Sequence, residues 1–136
     1  MVPVERVVVE TAGWIRNETD AESVEVTLAY EPSDPFAVTL MISRAHEDLT
    51  WVFSRDLLAD GLRSMSPIGE GCISIQATSV LTEIRHTFAD DTSMSLRLPW
   101  WNTREFIRLC HAEVPRGQEV TDVDAWVAAL TGSHDA

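Results

Sequence analysis

Asp56 and Asp60 stand four residues apart, a spacing that on a helix sets two carboxylates side by side, as general acid–base chemistry requires. Helix chemistry explains them more cheaply, with Asp56 complementing the positive end of the helix dipole and Asp60 on a solvated face. Four histidines, His46, His86, His111 and His134, and two cysteines, Cys72 and Cys110, are the other groups able to ligate a metal or attack a substrate. No histidine lies at a helical or hairpin ligand spacing from a second His, Cys or carboxylate. No paired-cysteine motif surrounds either thiol, so solvent-facing or helix-end imidazoles and small buried or half-buried thiols are expected. Asp122 and Asp124 open like a calcium loop, yet the sixth and twelfth places hold Val127 and Ser133 instead of Gly and Glu. Gly69-Glu-Gly71 is too short for a phosphate cradle, and no serine sits in a nucleophile elbow. The expectation is no enzyme, no metal and no cofactor.

The aromatic residues offer binding instead. Trp14, Trp51, Trp100, Trp101 and Trp126 are many for a chain of 136 residues, and Trp together with Arg is what interface cores are enriched in. Trp51 opens an apolar strand and belongs to the core. Trp100 and Trp101 are adjacent at a strand-to-helix corner, where both cannot easily face one core, so at least one should be partly exposed. Beside Arg104, such an indole suits a protein contact or self-association. Simple packing and stacking on unpaired bases are the rival readings, and base stacking would need a basic groove as well. Trp100, Trp101, Arg104 and Trp126 are therefore the candidate protein-interface residues.

Charge narrows the partners. With 22 acidic and 10 basic side chains, every one of the latter arginine, the formal net charge is −12. That balance repels phosphate backbones and anionic membrane surfaces and favours protein partners with basic patches. No run approaches the roughly 18 apolar residues of a membrane span, and Met1-Val-Pro-Val lacks the basic and hydrophobic regions of a signal peptide. A cytoplasmic protein without an integral membrane segment is expected.

The elements that must position these residues follow from periodicity. Val7 and Val9, then Val24, Val26, Leu28 and Tyr30, alternate at period two. Gly13 and the polar cluster 17–22 separate those two strands, and Pro32-Ser-Asp-Pro35 turns into a third over 36–43. A fourth over 49–53 runs into a short helix. Ser54 is its N-cap, Leu57, Leu58 and Leu62 are its apolar face, and Gly61 is placed as its left-handed terminator. Residues 64–71 read as a loop and as the boundary between halves. Strands over 72–78, 80–88 and 94–98 follow, then a helix opened by the capping-box spacing Asn102-Thr-Arg-Glu105 and ended by Pro115 and Gly117. An acid-capped helix over 121–130 carries Trp126, Val127 and Leu130 on one side, and at about ten residues it must dock on something. The class is α+β: two antiparallel β-meander units, each followed by a helix, plus a C-terminal helix. Residues 1–63 form the first half, 64–119 the second, and 120–136 the C-terminal helix and tail of one domain. A single continuous sheet flanked by helices is the alternative.

The segment Trp51–Leu62, with Asp34-Pro-Phe-Ala-Val38 upstream and Val114-Pro-Arg-Gly-Gln-Glu119 downstream, resembles the SsgA-like proteins of actinobacteria, small regulators of sporulation-linked cell division. The likeness is colinear over most of 24–130, specific in the first half and weaker from Ser64 to Arg97. It implies a whirly-like architecture of two packed sheets with helices, and a non-enzymatic, SsgB-type regulator. That regulator would bind the tubulin-like division protein FtsZ and promote its localisation or assembly at sporulation septa. The resemblance further implies a homotrimer, contact with an SsgA-type paralogue, and a cytoplasmic protein found at division septa. The alternative function is single-stranded nucleic-acid binding, which other whirly-type proteins perform. Fold analogy alone does not transfer function, and the charge balance opposes it.

Overall fold

The computed structural model describes residues 5–17 and 19–120. Four strands, β1 (Val7–Arg16), β2 (Ala21–Tyr30), β3 (Ala37–Ser43) and β4 (Leu49–Ser54), lead into helix α1 (Arg55–Gly61). Four more, β5 (Ile68–Glu70), β6 (Ile73–Ala77), β7 (Leu81–Thr87) and β8 (Ser93–Pro99), lead into α2 (Trp100–Glu113). Each half is the meander followed by a helix that the period-two and helical patterns predict.

The two meanders do not pack as separate sheets. They join edge to edge into one antiparallel eight-stranded sheet of order β4-β3-β2-β1-β8-β7-β6-β5. The seam is short, pairing Trp14 with Arg97, Ile15 with Leu96 and Arg16 with Ser95. Pairing β1 with β8 satisfies the backbone groups of what would otherwise be two free inner edges. Among the described residues, β4 and β5 are the outer strands of the sheet.

Alternation decides which face is dry. Val24, Val26 and Leu28 on β2, Val38, Leu40 and Ile42 on β3, and Leu96 and Leu98 on β8 point into one core, which both helices cover. α1 lies on β4, β5 and β6, while α2 lies on β1, β7 and β8 and touches α1. The helices enter this core with the fully buried Leu58 of α1 and Phe106 and Cys110 of α2.

Four local expectations are corrected. Gly13 does not end the first strand but lies within β1, because a Cβ there would sit 2.9 Å from Leu98 Cδ2 and 3.0 Å from Val26 Cγ2. Gly61 is not a left-handed terminator either. It closes α1 with Leu62 as an ordinary αR C-cap, and glycine is required because a Cβ would meet Ile75 Cγ2 at 2.4 Å. Part of the expected 64–71 loop pairs with β6 as β5, which a three-residue edge strand is too short to announce. α2 begins at Trp100, two residues before the capping-box signal, with Pro99 as N-cap and no side-chain cap bond. The expected helix over 121–130, with Trp126, lies outside the described residues. No described helix is long and apolar enough to cross a membrane.

Candidate protein-binding site at the α1–α2 corner

The start of α2 is fixed by partners other than a capping side chain. Trp100 N–H donates to the Val80 carbonyl at 2.9 Å, and its indole Nε1–H donates to the Leu62 carbonyl at 3.1 Å, tying α2 to the end of α1. Asn102 Nδ2 donates to Thr11 Oγ1 at 2.8 Å instead of capping the helix. The buried hydroxyls of Thr82 and Thr103 lie 2.7 Å apart, and Thr103 donates to the Trp100 carbonyl at 2.8 Å. Thr82 is therefore the donor to Thr103. Glu105 pairs with Arg108 one turn on, through two oxygens, and this contact lowers its carboxyl and raises the guanidinium.

On this corner Trp100 is half-buried while Trp101 is 67% exposed. Their rings meet edge to face at 5.2 Å, and the Arg104 guanidinium lies 5.7 Å from the Trp100 ring centre and 5.3 Å from that of Trp101. One cation over two indoles leaves an amphipathic surface of the kind that protein contacts use. Of the four candidate interface residues, the fold brings these three together, and Trp126 lies outside the described residues.

A second constellation was not foreseen in the sequence. Arg55, the first residue of α1, is 1% exposed. Its Nη1 donates to Tyr30 Oη at 3.0 Å and to the Val114 carbonyl at 2.6 Å, and Nη2 is paired with the Glu119 carboxylate. Tyr30 Oη in turn donates to the Pro35 carbonyl at 3.1 Å, and Arg55 N–H donates to the Phe36 carbonyl at 2.8 Å. Burial pushes the Tyr30 hydroxyl up to about 12 against the opposing pull of Arg55. Glu119 is held below the usual carboxylate range: burial raises it, but the Glu119 and Gly117 backbone N–H groups and Arg55 outweigh that.

Next to this clasp, Arg116 spans the pair that resembled an acid–base dyad. It binds Asp60 with both nitrogens, at 2.8 and 3.1 Å, and forms an ion pair with Asp56 at 3.1 Å. Asp60 is lowered chiefly by that hydrogen bond. Two carboxylates bridged by one guanidinium are a fastening. The three segments 34–38, 51–62 and 114–119 thus converge on one knot that carries the chain leaving α2 back onto α1. Ser54 caps α1 as expected, accepting from Leu57 N–H at 3.1 Å.

Of the remaining reactive groups, only Cys72 and His86 meet among the described residues. Cys110 is buried and its thiol is pushed up to about 12 by desolvation, which makes it unreactive. Cys72 is exposed and its sulfur lies 3.6 Å from His86 Nε2, a contact that sequence spacing missed because it joins β6's approach to β7 across a hairpin. His86 also stacks on Trp51, at 5.2 Å between ring centres. Among the described residues no three His, Cys, Asp or Glu side chains gather as a metal site would need. His46 sits exposed in its turn. His111 is lowered by burial and by the positive Arg55 and Arg116 nearby. His134, Asp122 and Asp124 lie outside the described residues.

Residues 24–119 match the family model described as the Streptomyces sporulation and cell division protein SsgA. The chain belongs to this family. A sporulation-specific cell division protein of Frankia casuarinae is 33% identical over 114 residues, 82% of this chain and 77% of that protein. SsgB of Kineococcus radiotolerans is 32% identical over 114 residues, covering 79% and 68%. Among solved structures, an SsgA-like sporulation-specific cell division protein of Thermobifida fusca superposes with a TM-score of 0.80 at 22% identity, covering 96% of this chain and 99% of its own. A structure concerning SsgB of Streptomyces coelicolor gives 0.74 at 27% identity, over 85% and 93%. The fold is thus α+β and of the whirly type that the resemblance implied, with one continuous sheet in place of the two packed sheets. This chain is an SsgA-family sporulation and cell division protein. Segments 34–38, 51–62 and 114–119 build the Arg55 knot, whereas Trp101 and Arg104 provide exposed surface.

Proposed function

We propose that this SsgA-family protein binds the tubulin-like division protein FtsZ and promotes its localisation or assembly at sporulation septa, acting in the cytoplasm as a homo-oligomer with an SsgA-type paralogue as a further partner. The observation that carries this reading is the indole of Trp101, 67% exposed beneath the Arg104 guanidinium on a corner otherwise locked by hydrogen bonds. A rigid aromatic–arginine patch loses little conformational freedom on binding. Self-association is supported by β4 and β5, which carry no further strand among the described residues, since exposed strand edges are covered or paired in stable proteins. An oligomer that favours polymerised over free subunits shifts assembly by mass action and avidity, without chemistry. Co-sedimentation with FtsZ, after light scattering of the purified chain, tests it. An oligomer that pellets with the polymer and raises its yield is expected, and a monomer that leaves polymer yield unchanged defeats the reading.

A further inference from the structure

On a chain with a net charge of −12, four of the ten arginines, Arg63, Arg104, Arg108 and Arg116, line one groove between α1 and α2, floored by Trp100 and Ile107. The groove has a volume of about 500 Å³. That is room for a few side chains and too little for a folded domain to enter. Two of the four guanidinia are already engaged, Arg108 by Glu105 and Arg116 by Asp56 and Asp60. Arg104 and Arg63 have no carboxylate within 4.0 Å among the described residues, although Arg63 is close enough to help lower Asp60. Arg104 rests on the two indoles instead.

An anionic ligand with an apolar anchor is what such a lining recognises, since the anchor can cover the Trp100 and Ile107 floor while its charges meet the uncommitted guanidinia. Nucleic acid is the other polyanion to weigh. Its affinity comes from neutralising many phosphates, and two uncommitted arginines on a strongly acidic surface supply too few. A peptide carrying two or three carboxylates meets the same groove without repulsion along its whole length. We infer that the α1–α2 groove docks an acidic linear segment of a protein partner, with one or two apolar side chains on the Trp100 floor. This deepens the reading of the corner as a protein contact and rests on it, but it does not depend on the partner being FtsZ. It also reverses, at one place, the preference for basic partners that the overall charge suggests.

The test is affinity selection by the full-length chain from pooled peptides of about twelve residues, in which aspartates and glutamates flank a randomised apolar pair. A matched pool with Asn and Gln in place of the acids runs alongside. The expected result is enrichment of acidic peptides alone, with affinity falling as salt shortens the reach of charge. It should also fall at least ten-fold in an Arg63→Glu/Arg104→Glu variant whose circular dichroism is unchanged. Equal recovery of both pools, or enrichment that survives the variant, overturns the proposal. So does an oligothymidylate probe that binds where the acidic pool does not. Should only an Asp122→Asn/Asp124→Asn chain select acidic peptides, the groove's occupant is the chain's own terminus and the proposal is wrong. Loss of the oligomer in the arginine variant would likewise assign the groove to a second copy. FtsZ co-sedimentation by the unaltered chain is scored separately, so selection of acidic peptides without FtsZ binding contradicts the named partner and leaves the groove assignment standing.

Discussion

At the scale of single residues, Arg55 dominates the described structure. A guanidinium 1% exposed is tolerated because a carboxylate, a phenol and a backbone carbonyl surround it, and removing it strands the Glu119 carboxylate and the Tyr30 hydroxyl. Arg55→Ala should therefore cost about 3–5 kcal/mol in urea denaturation. An Arg55→Met/Glu119→Gln pair, which removes both charges, should recover part of that loss. The same clasp sets a pH dependence. Glu119 and Asp60 have lowered folded pKa values, so unfolded chains bind more protons than folded ones between those values and the ordinary carboxylate pKa of about 4.3. Their contribution is complete above that range and lost as pH falls through it. Thermal melts should decline below about pH 4, and less so in an Asp60→Asn/Glu119→Gln chain. Arg55 was hidden in the sequence because an arginine after a helix cap ordinarily reads as solvent-facing, and its partners lie 25 to 64 residues away. Trp101 was legible because two adjacent indoles at a corner cannot share one core.

At the scale of elements, both helices and every described strand but β5 are readable from period and caps, and two of the misplaced boundaries share one cause. Gly13 and Gly61 were taken for punctuation, whereas tertiary closeness to Leu98 and Ile75 is what requires them. A glycine chosen for space and one chosen for backbone freedom look identical in a sequence. The distinction is measurable. Gly61→Ala should destabilise by about 1–3 kcal/mol through overpacking against Ile75, while Gly69→Ala, whose Cβ would find its nearest atom at 3.7 Å, should change little. Ser54→Ala should cost about 1 kcal/mol through loss of the Leu57 cap bond. Equilibrium denaturation of the three variants checks all of these. The start of α2 was misread because Asn102 and Glu105, residues that cap helices elsewhere, are used here for Thr11 and Arg108.

At the scale of the whole molecule, eight strands in a single sheet place the two helices side by side, and only that arrangement brings Arg63 and Arg116 from one side to face Arg104 and Arg108 on the other. The seam between β1 and β8 joins the ends of the two meanders, so no local pattern could have announced it. We propose that this SsgA-family protein works by presenting the α1–α2 corner to a protein partner. The most direct measurement is FtsZ co-sedimentation with Trp101→Ala and, as a control, Trp14→Ala, an indole 45% exposed on β1. Trp101→Ala should lower bound protein about ten-fold, while Trp14→Ala should bind like the unaltered chain. Equal binding by all three would contradict it.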